Sequence, residues 1–271
     1  MISFCKYHGS GNDFIIVDDR AETFPCTNAE FIKKICNRQF GVGADGLLLL
    51  QTSNCASFRI RIFNSDGKEV GMCGNGIRCF VSYLKSLGYK DDLFLIETMN
   101  DTVQCRTHSD KISVKLSKPI VLHWGVKLDH LMEHIEAFVV HTGVPHAVIF
   151  VDDLDGMNVD EVGRKIRQYP LFHPEGVNVN FVRKGADGSL RVRTYERGVE
   201  AETLSSGTGA AAVALTAYML WNIPSPVRIM PLSQDCLEVH VNEARFGGKE
   251  LELTGRASFI FEGRLTLNSF L

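Results

Sequence analysis

The chain has 271 residues, a formal net charge of −3 and a pI of about 6.3, which excludes a strongly basic surface for nucleic acids or anionic membranes. Hydrophobic residues make up 45% and charged residues 23%, as in ordinary soluble globular proteins. The longest apolar run is too short for a membrane span, and the cysteines form no C-x-x-C pair. Because Lys6 and His8 interrupt the first residues before an apolar run develops, we expect no signal peptide. We therefore expect a cytoplasmic protein with reduced thiols.

The apolar pattern predicts secondary structure in both halves of the chain. In chain order, the predicted strands are 13–18, 46–51, 58–63, 93–98, 111–116, 147–151, 177–182, 190–195, 227–230 and 236–241. Helices are predicted at 28–37, 75–87 and 208–221, and the second and third each follow a glycine-rich turn. The third helix contains GAAAVALTAYML, which is apolar on most faces, so we expect it to be buried.

The two halves of the sequence repeat one another. Three pairs of segments match in the same order, each separated by about half the chain: HGSGNDFIIVDD with HTGVPHAVIFVDD, FRIRIFNSDG with LRVRTYERGV, and MCGNGIRCFVSYL with SSGTGAAAVALTAYML. Internal duplication therefore predicts an α+β fold of two pseudo-symmetric lobes, each with a mixed or antiparallel sheet around a central helix. The proline in SKPIVLHW interrupts the strand pattern and places the lobe boundary near 118–123.

Cys73 stands immediately before Gly-Asn-Gly and a predicted helix. The partial positive charge and free N–H groups of a helix N-terminus can lower a cysteine pKa below its ordinary value of about 8.5, and they can also hold a carboxylate. The motif alone fits a buried structural cysteine equally well. Its second copy, at 206–209, favours function, because two such turns facing each other could hold one small anionic substrate. Ser206 stands where Cys73 stands in the first copy.

GVGADG, at 41–46, matches the dinucleotide-binding pattern G-x-G-x-x-G. A helix is predicted before it and a strand after it, which is the reverse of the order that nucleotide binding needs. The motif therefore predicts a turn at the exit of a helix.

HLMEH, at 130–134, matches the H-x-x-E-H pattern of some zinc proteases. Pro119, Gly125 and the strand-like IEAFVVH oppose a long helix here, and no further ligand is identifiable. We therefore predict no metal site.

Several polar residues lie where predicted strands begin or end. His146 follows a proline turn, and it or Glu196 could tune the pKa of a neighbouring reactive group. Arg197 could bind a substrate carboxylate through two hydrogen bonds. Three asparagines at similar positions could bind the ammonium and carboxylate groups of an amino acid, or form Asx turns: Asn12, Asn64 and Asn178.

Taken together, these motifs resemble diaminopimelate epimerase along essentially the whole chain. The matching stretches are HGSGNDF, GVGADG, RIFNSDGKEVGMCGNGIRCF, GVPHAV, GVNVNF, YERGVEAETLSSGTGAAAVA and TGRA. The resemblance implies an isomerase of lysine and peptidoglycan precursor synthesis that interconverts LL- and meso-diaminopimelate without pyridoxal phosphate, metal or other cofactor. Two cysteines act on opposite faces of the substrate α-carbon, one removing the proton and the other replacing it. Cys73 matches the first of them.

The resemblance also implies the other site residues and the domain layout. By family match, the residues that contact the substrate are Asn12, Asn64, Gly74, Asn75, Asn178, Glu196, Arg197, Gly207 and Thr208. His146 and Glu196 match residues that modulate the acid/base pair. The last strand returns to the first lobe, so the lobes are 1–118 plus 259–271 and 119–258, with the active site in the cleft between them. The partner implied is a small amino acid, and members of the family often form homodimers.

Two positions depart from the family pattern. Val144 stands before Pro145 where many members have a substrate-binding asparagine. Ser206 replaces the second cysteine, and a serine hydroxyl is a far weaker acid than a thiol, so two-base epimerisation should be impaired. Three explanations stay open: an introduced Cys→Ser change, a natural variant with altered chemistry, and a non-catalytic homologue. The alternative functions are a related racemase or lyase acting on glutamate- or proline-type substrates, and an amino-acid binding protein.

Overall fold

The computed structural model describes residues 1–128, 136–245 and 247–266. The chain divides into two compact units, which we call unit 1 and unit 2. Unit 1 comprises Met1–Val114 and Gly255–Leu271, and unit 2 comprises Lys115–Thr254. No described helix is long and apolar enough to cross a membrane.

The described residues form eighteen strands, four α-helices and one short 3₁₀ helix, Pro170–Phe172. The first half of the chain contains β1 (Ile2–Gly9), β2 (Asn12–Asp18), α1 (Ala29–Cys36), β3 (Gly46–Gln51), β4 (Phe58–Asn64), β5 (Glu69–Val70), α2 (Gly74–Ser86), β6 (Leu93–Glu97), β7 (Thr102–His108), β8 (Lys111–Lys115) and β9 (Ile120–Lys127). The second half contains β10 (Glu136–His141), β11 (Pro145–Phe150), α3 (Val159–Arg167), β12 (Asn178–Lys184), β13 (Leu190–Glu196), β14 (Ala201–Thr203), α4 (Gly207–Trp221), β15 (Val227–Met230), β16 (Leu237–Glu243), β17 (Lys249–Arg256) and β18 (Ser258–Leu265).

Strand pairing follows one scheme in both units. In unit 1, β2 is antiparallel to β1 and parallel to β3, β4 is antiparallel to β3 and β5 and parallel to β6, and β7 is antiparallel to β6 and β8. The second half repeats this scheme from β10 to β17. The predicted duplication and mixed sheets are therefore confirmed.

The last strand of each repeat pairs with the first strand of the other. β9 follows β8 in the chain but is antiparallel to β10 of unit 2, and β18 follows β17 but is antiparallel to β1 of unit 1. Each unit therefore contains one strand contributed by the opposite repeat.

Helices cover both faces of the central strands, which explains why β3, GLLLLQ, is buried along its whole length. In unit 1, Leu47 and Leu49 pack with Ile32 and Ile35 of α1. Leu48 faces the other side, close to Gly76 in the first turn of α2. In unit 2, α3 packs on β12 and β13, while α4 contacts β10, β11 and β12. This sandwiching places the first turns of α2 and α4 near the ends of the central strands.

All ten predicted strands and all three predicted helices are present, with ends displaced by at most two residues. The buried third helix is confirmed: α4 is buried from Gly209 to Ala217 and exposed only in its last turn. β9 begins at Ile120, within the 118–123 stretch where the lobe boundary was expected. The sequence interpretation omitted α3 and eight strands, of which β9 and β18 are almost wholly exposed and therefore lack a buried-face alternation.

Helix α3 rests directly on β13 at Gly163, where a Cβ atom would lie 2.5 Å from Cβ of the buried Tyr195. We predict that Gly163→Ala lowers the free energy of unfolding by about 1 kcal/mol, since overpacking of about 1–3 kcal/mol outweighs the helix-propensity gain of about 1 kcal/mol. Urea unfolding measures the change. Arg164→Ala, on the exposed face of the same helix, is the control and should be near neutral. A Gly163→Ala protein as stable as the native chain would contradict this packing.

Candidate active site

The first candidate half-site lies at the start of α2 in unit 1. Cys73 is the N-cap of the helix, with extended backbone angles of φ −150° and ψ 106°. Its Sγ accepts a hydrogen bond of 3.4 Å from the Gly76 N–H and lies 3.8 Å from Asn12 Oδ1, to which a thiol proton can be donated. A donor and an acceptor therefore contact the same sulfur, so both its thiolate and its thiol form have a partner.

Asn12 and Asn75 form a short amide chain beside this sulfur. Asn75 Nδ2 donates to Asn12 Oδ1 over 3.4 Å, and Asn12 Nδ2 donates to Asp45 Oδ2 over 2.9 Å. Asn75 Oδ1 is buried and has no hydrogen-bond partner within the part of the chain that the structure describes. A buried amide oxygen without a donor is costly, so Asn75 Oδ1 is an unused hydrogen-bond acceptor next to this turn.

An ion-pair network supports the turn that carries Asn12. The nearly buried Lys6 lies 2.7 Å from Asp13 and also donates to Gly43 O, and Arg38 pairs with both Asp13 and Asp45. Burial of Asp13 opposes its ionisation, but hydrogen bonds from Arg38 and Lys6 outweigh burial and lower its pKa well below the ordinary range. GVGADG is the turn between α1 and β3 that this network fixes, so its predicted role as a helix exit is confirmed.

Arg78 is a residue of this region that sequence reasoning missed. It is fully buried, and its guanidinium donates to Ser10 Oγ over 3.3 Å and to Arg256 O over 3.3 Å. It thereby joins α2 to the Ser10 turn just before Asn12. An arginine inside the apolar run of a helix was the available signal. Asn64, at the end of β4, has an exposed side chain.

The second candidate half-site lies at the start of α4 in unit 2 and repeats the first. Ser206 is the N-cap, with φ −122° and ψ 115°, and its Oγ accepts a hydrogen bond of 3.2 Å from the Gly209 N–H. Among the described residues, Ser206 Oγ has no other hydrogen-bond partner. No side chain there activates Ser206 as a nucleophile, which separates it from the serine of a hydrolase.

His146 lies directly behind the α4 turn and is fully buried. Its Nε2 is 2.9 Å from Thr208 Oγ1, and its Nδ1 is 3.2 Å from Asn180 Nδ2. Burial lowers the pKa of His146 to about 3, with smaller contributions from His141 and Arg197, so its ring is neutral near pH 7. His146 therefore contacts the candidate site through the half-exposed Thr208.

Asn178 and Arg197 lie in unit 2, at the start of β12 and just after the end of β13. Asn178 Oδ1 accepts a hydrogen bond of 2.8 Å from the Arg197 N–H, and the Arg197 side chain donates to Glu175 O and Gly176 O. Glu196 is half-exposed at the end of β13. Val144, where a substrate-binding asparagine was expected from the family pattern, is half-exposed beside Pro145.

The HLMEH motif at 130–134 lies outside the described residues. Within the described ranges, no group of three or more His, Cys, Asp or Glu side chains could hold a metal ion.

Comparison with known proteins places the geometry in a family context. The family model for diaminopimelate epimerase matches residues 4–121 and 138–258. Proteins named diaminopimelate epimerase from Archaeoglobus fulgidus and Methanocella arvoryzae are 39% and 45% identical to this chain. The first match covers 98% of this chain and 97% of the relative, and the second covers 81% and 82%.

A solved structure shares the fold at low sequence identity. The crystal structure of the Bacillus anthracis phenazine biosynthesis protein of the PhzF family superposes with a TM-score of 0.79. It is 14% identical, and the match covers 98% of this chain and 99% of that protein.

The neutral buried His146 makes stability depend on pH. The unfolded chain takes up a proton on this ring near pH 6.5, whereas the folded chain does so only near pH 3, so stability falls as the pH drops below 6.5. At about 1.36 kcal/mol per pKa unit, the loss at pH 5 is about 2 kcal/mol. We predict that His146→Gln reduces the difference between the unfolding free energies at pH 7 and pH 5 by about this amount, as measured by urea unfolding.

The exposed His123 provides the matched control. His123→Gln should keep the full pH dependence of the native chain. An equal pH dependence in all three proteins would show that His146 is not buried in its neutral form.

Proposed function

The chain belongs to the diaminopimelate epimerase family, and from this membership we propose that it moves the α-proton of diaminopimelate and thereby interconverts the LL- and meso-stereoisomers. One observation carries the proposal: the two copies of the repeat cap equivalent helices with Cys73 and Ser206, each accepting a hydrogen bond from the N–H three residues later. In the proposed reaction, both side chains act on the same α-carbon.

Cys73 is the proposed base. As a thiolate, it accepts the α-proton and becomes a thiol, and the Gly76 N–H and the α2 dipole stabilise its negative form. The Asn12 oxygen beside it then accepts a hydrogen bond from the S–H group. The same sulfur can therefore return the proton or exchange it with solvent.

Removal of the α-proton moves negative charge onto the substrate carboxylate. The first N–H groups of α2 and α4 have no acceptor within their helices and suit this charge. Substrate contacts are proposed for Asn12, Asn64, Gly74, Asn75, Asn178, Glu196, Arg197, Gly207 and Thr208. The free Asn75 oxygen suits the substrate ammonium group, and the Arg197 guanidinium suits a carboxylate.

We propose that Ser206 slows the protonation step of the reaction. Protonation of the carbanion from the Ser206 face would leave an alkoxide, which is much less stable than the thiolate that a cysteine would leave. Exchange of the α-proton on the Cys73 side should therefore be faster than inversion of configuration. An introduced Cys→Ser change and a natural variant with slow inversion both fit this proposal.

We predict that Ser206→Cys raises the rate of interconversion of LL- and meso-diaminopimelate by about 100-fold or more, the usual contribution of a well-placed general acid or base. Chiral chromatography of the reaction mixture measures the rate. Ser205→Cys is the matched control, because it adds a thiol one residue before the cap and should give no gain.

The outcome separates this proposal from the other functions considered. No gain in Ser206→Cys contradicts the epimerase assignment. Racemisation or dehydration of glutamate, proline or hydroxyproline by the native chain, without action on diaminopimelate, would indicate a related racemase or lyase.

We also predict that the native chain, in deuterated water, incorporates deuterium at the α-carbon of one diaminopimelate stereoisomer faster than it inverts that carbon. Cys73→Ala should abolish the exchange, whereas the exposed Cys55→Ala should leave it unchanged. Proton NMR of the α-position measures both rates. Exchange that survives in Cys73→Ala would remove Cys73 from the proposed role, and binding without any exchange would indicate an amino-acid binding protein.

A further inference from the structure

The orientation of one buried amide decides the chemistry of the α4 turn. Asn180 is fully buried, and its Nδ2 lies 3.1 Å from Ala147 O, which can only accept hydrogen bonds. The atom facing Ala147 must therefore be the NH₂ nitrogen. The Asn180 oxygen on the other side accepts a hydrogen bond of 3.1 Å from Thr194 Oγ1.

With the amide fixed in this way, Asn180 donates its second N–H to His146 Nδ1 over 3.2 Å. Nδ1 must therefore be without a proton. A neutral imidazole carries its single proton on the other nitrogen, so His146 is the Nε2–H tautomer and donates to Thr208 Oγ1 over 2.9 Å.

The Thr208 hydroxyl then has one lone pair occupied by His146 and its own proton unused. Among the described residues, His146 is the only hydrogen-bond partner of this hydroxyl, and the Thr208 side chain is half-exposed. The opposite tautomer of His146 would accept the Thr208 proton and leave the hydroxyl with only lone pairs for a ligand. The tautomer thus decides whether a ligand at this turn meets a donor or an acceptor.

We propose that Asn180 is a positioning residue that holds His146 in its Nε2–H tautomer and so presents the Thr208 hydroxyl to the substrate as a hydrogen-bond donor. Combined with the free N–H groups of the first helical turn, this donor makes the α4 half-site selective for an anionic group such as a carboxylate. The tautomer is a property of unit 2 alone, whereas the carboxylate as ligand rests on the proposed function.

The first turn of α4 packs closely against Asn180. A Cβ atom on Gly209 would lie within van der Waals overlap of Asn180 Oδ1, so the first turn of α4 is in direct contact with this side chain. Gly209 is therefore required for the hydrogen bonds that join Asn180, His146 and Thr208, as well as for the turn.

The first experiment reads the tautomer directly and needs no turnover. In protein labelled with ¹⁵N-histidine, long-range ¹H–¹⁵N NMR at pH 7 distinguishes protonated from unprotonated ring nitrogens, and the His146 signals are those lost in His146→Gln. We expect a proton on Nε2 and none on Nδ1 in the native chain. In Asn180→Asp, whose carboxylate accepts where the amide donated, Nδ1 should gain a proton.

Thr194→Val is the matched control for this experiment. It removes the hydroxyl that donates to the Asn180 oxygen but leaves the Asn180 N–H groups in place, so the Nε2–H tautomer should persist. A native chain with its proton on Nδ1 would overturn the proposal, and so would an Asn180→Asp protein that keeps Nδ1 without a proton.

The second experiment tests whether Asn180 acts through Thr208. Calorimetric titration with meso-diaminopimelate should show that Asn180→Ala weakens binding about fivefold in the native background, the cost of about one hydrogen bond. In the Thr208→Val background, the same change should weaken binding by less than twofold. Equal losses in both backgrounds would overturn the action through Thr208. If the native chain does not bind this ligand, the proposed function fails, while the NMR result still decides the tautomer.

Discussion

The central constraint in this molecule is that the first N–H groups of an α-helix have no acceptor within the helix. Both repeats place such a helix start, at α2 and α4, near the ends of buried central strands, and both give it a single side-chain acceptor. Cys73 and Ser206 each satisfy one N–H and leave the neighbouring ones for a ligand. The glycines at these turns serve the same end, because they let the helix start approach Leu48 in one unit and Asn180 in the other.

Duplication kept the backbone of the two turns while the side chains around them diverged. Beside Cys73 lies an amide chain that ends in a free acceptor, Asn75 Oδ1. Beside Ser206 lies a relay from Asn180 through His146 that ends in a donor, the Thr208 hydroxyl. The two turns therefore share a backbone geometry but present different polar atoms, an amide oxygen in unit 1 and a hydroxyl in unit 2.

The parts of the fold that local patterns encode could be predicted, and the parts that depend on distant contacts could not. The helix starts at Gly-Asn-Gly and Gly-Thr-Gly and the buried LLLL strand follow from neighbouring residues. Helix α3 was missed although Asn158 caps the Glu161 N–H, because its interior Gly163 is unfavourable to a helix. The role of Asn180 could not be predicted, because a strand alternation such as GVNVNF does not show which amide faces a histidine. Likewise, only the three-dimensional structure reveals that His146 is buried.

Because β9 and β18 are exchanged, each half of the chain depends on the other for the pairing of its first strand. Along one edge, β1 and β10 each form their backbone hydrogen bonds with a strand from the other half of the chain. In a polypeptide that contained only the first half, one edge of β1 would be unpaired and could pair with another molecule. The apolar strand β9 would also lack its partner β10. Each half of the chain therefore lacks a strand pairing that only the other half supplies.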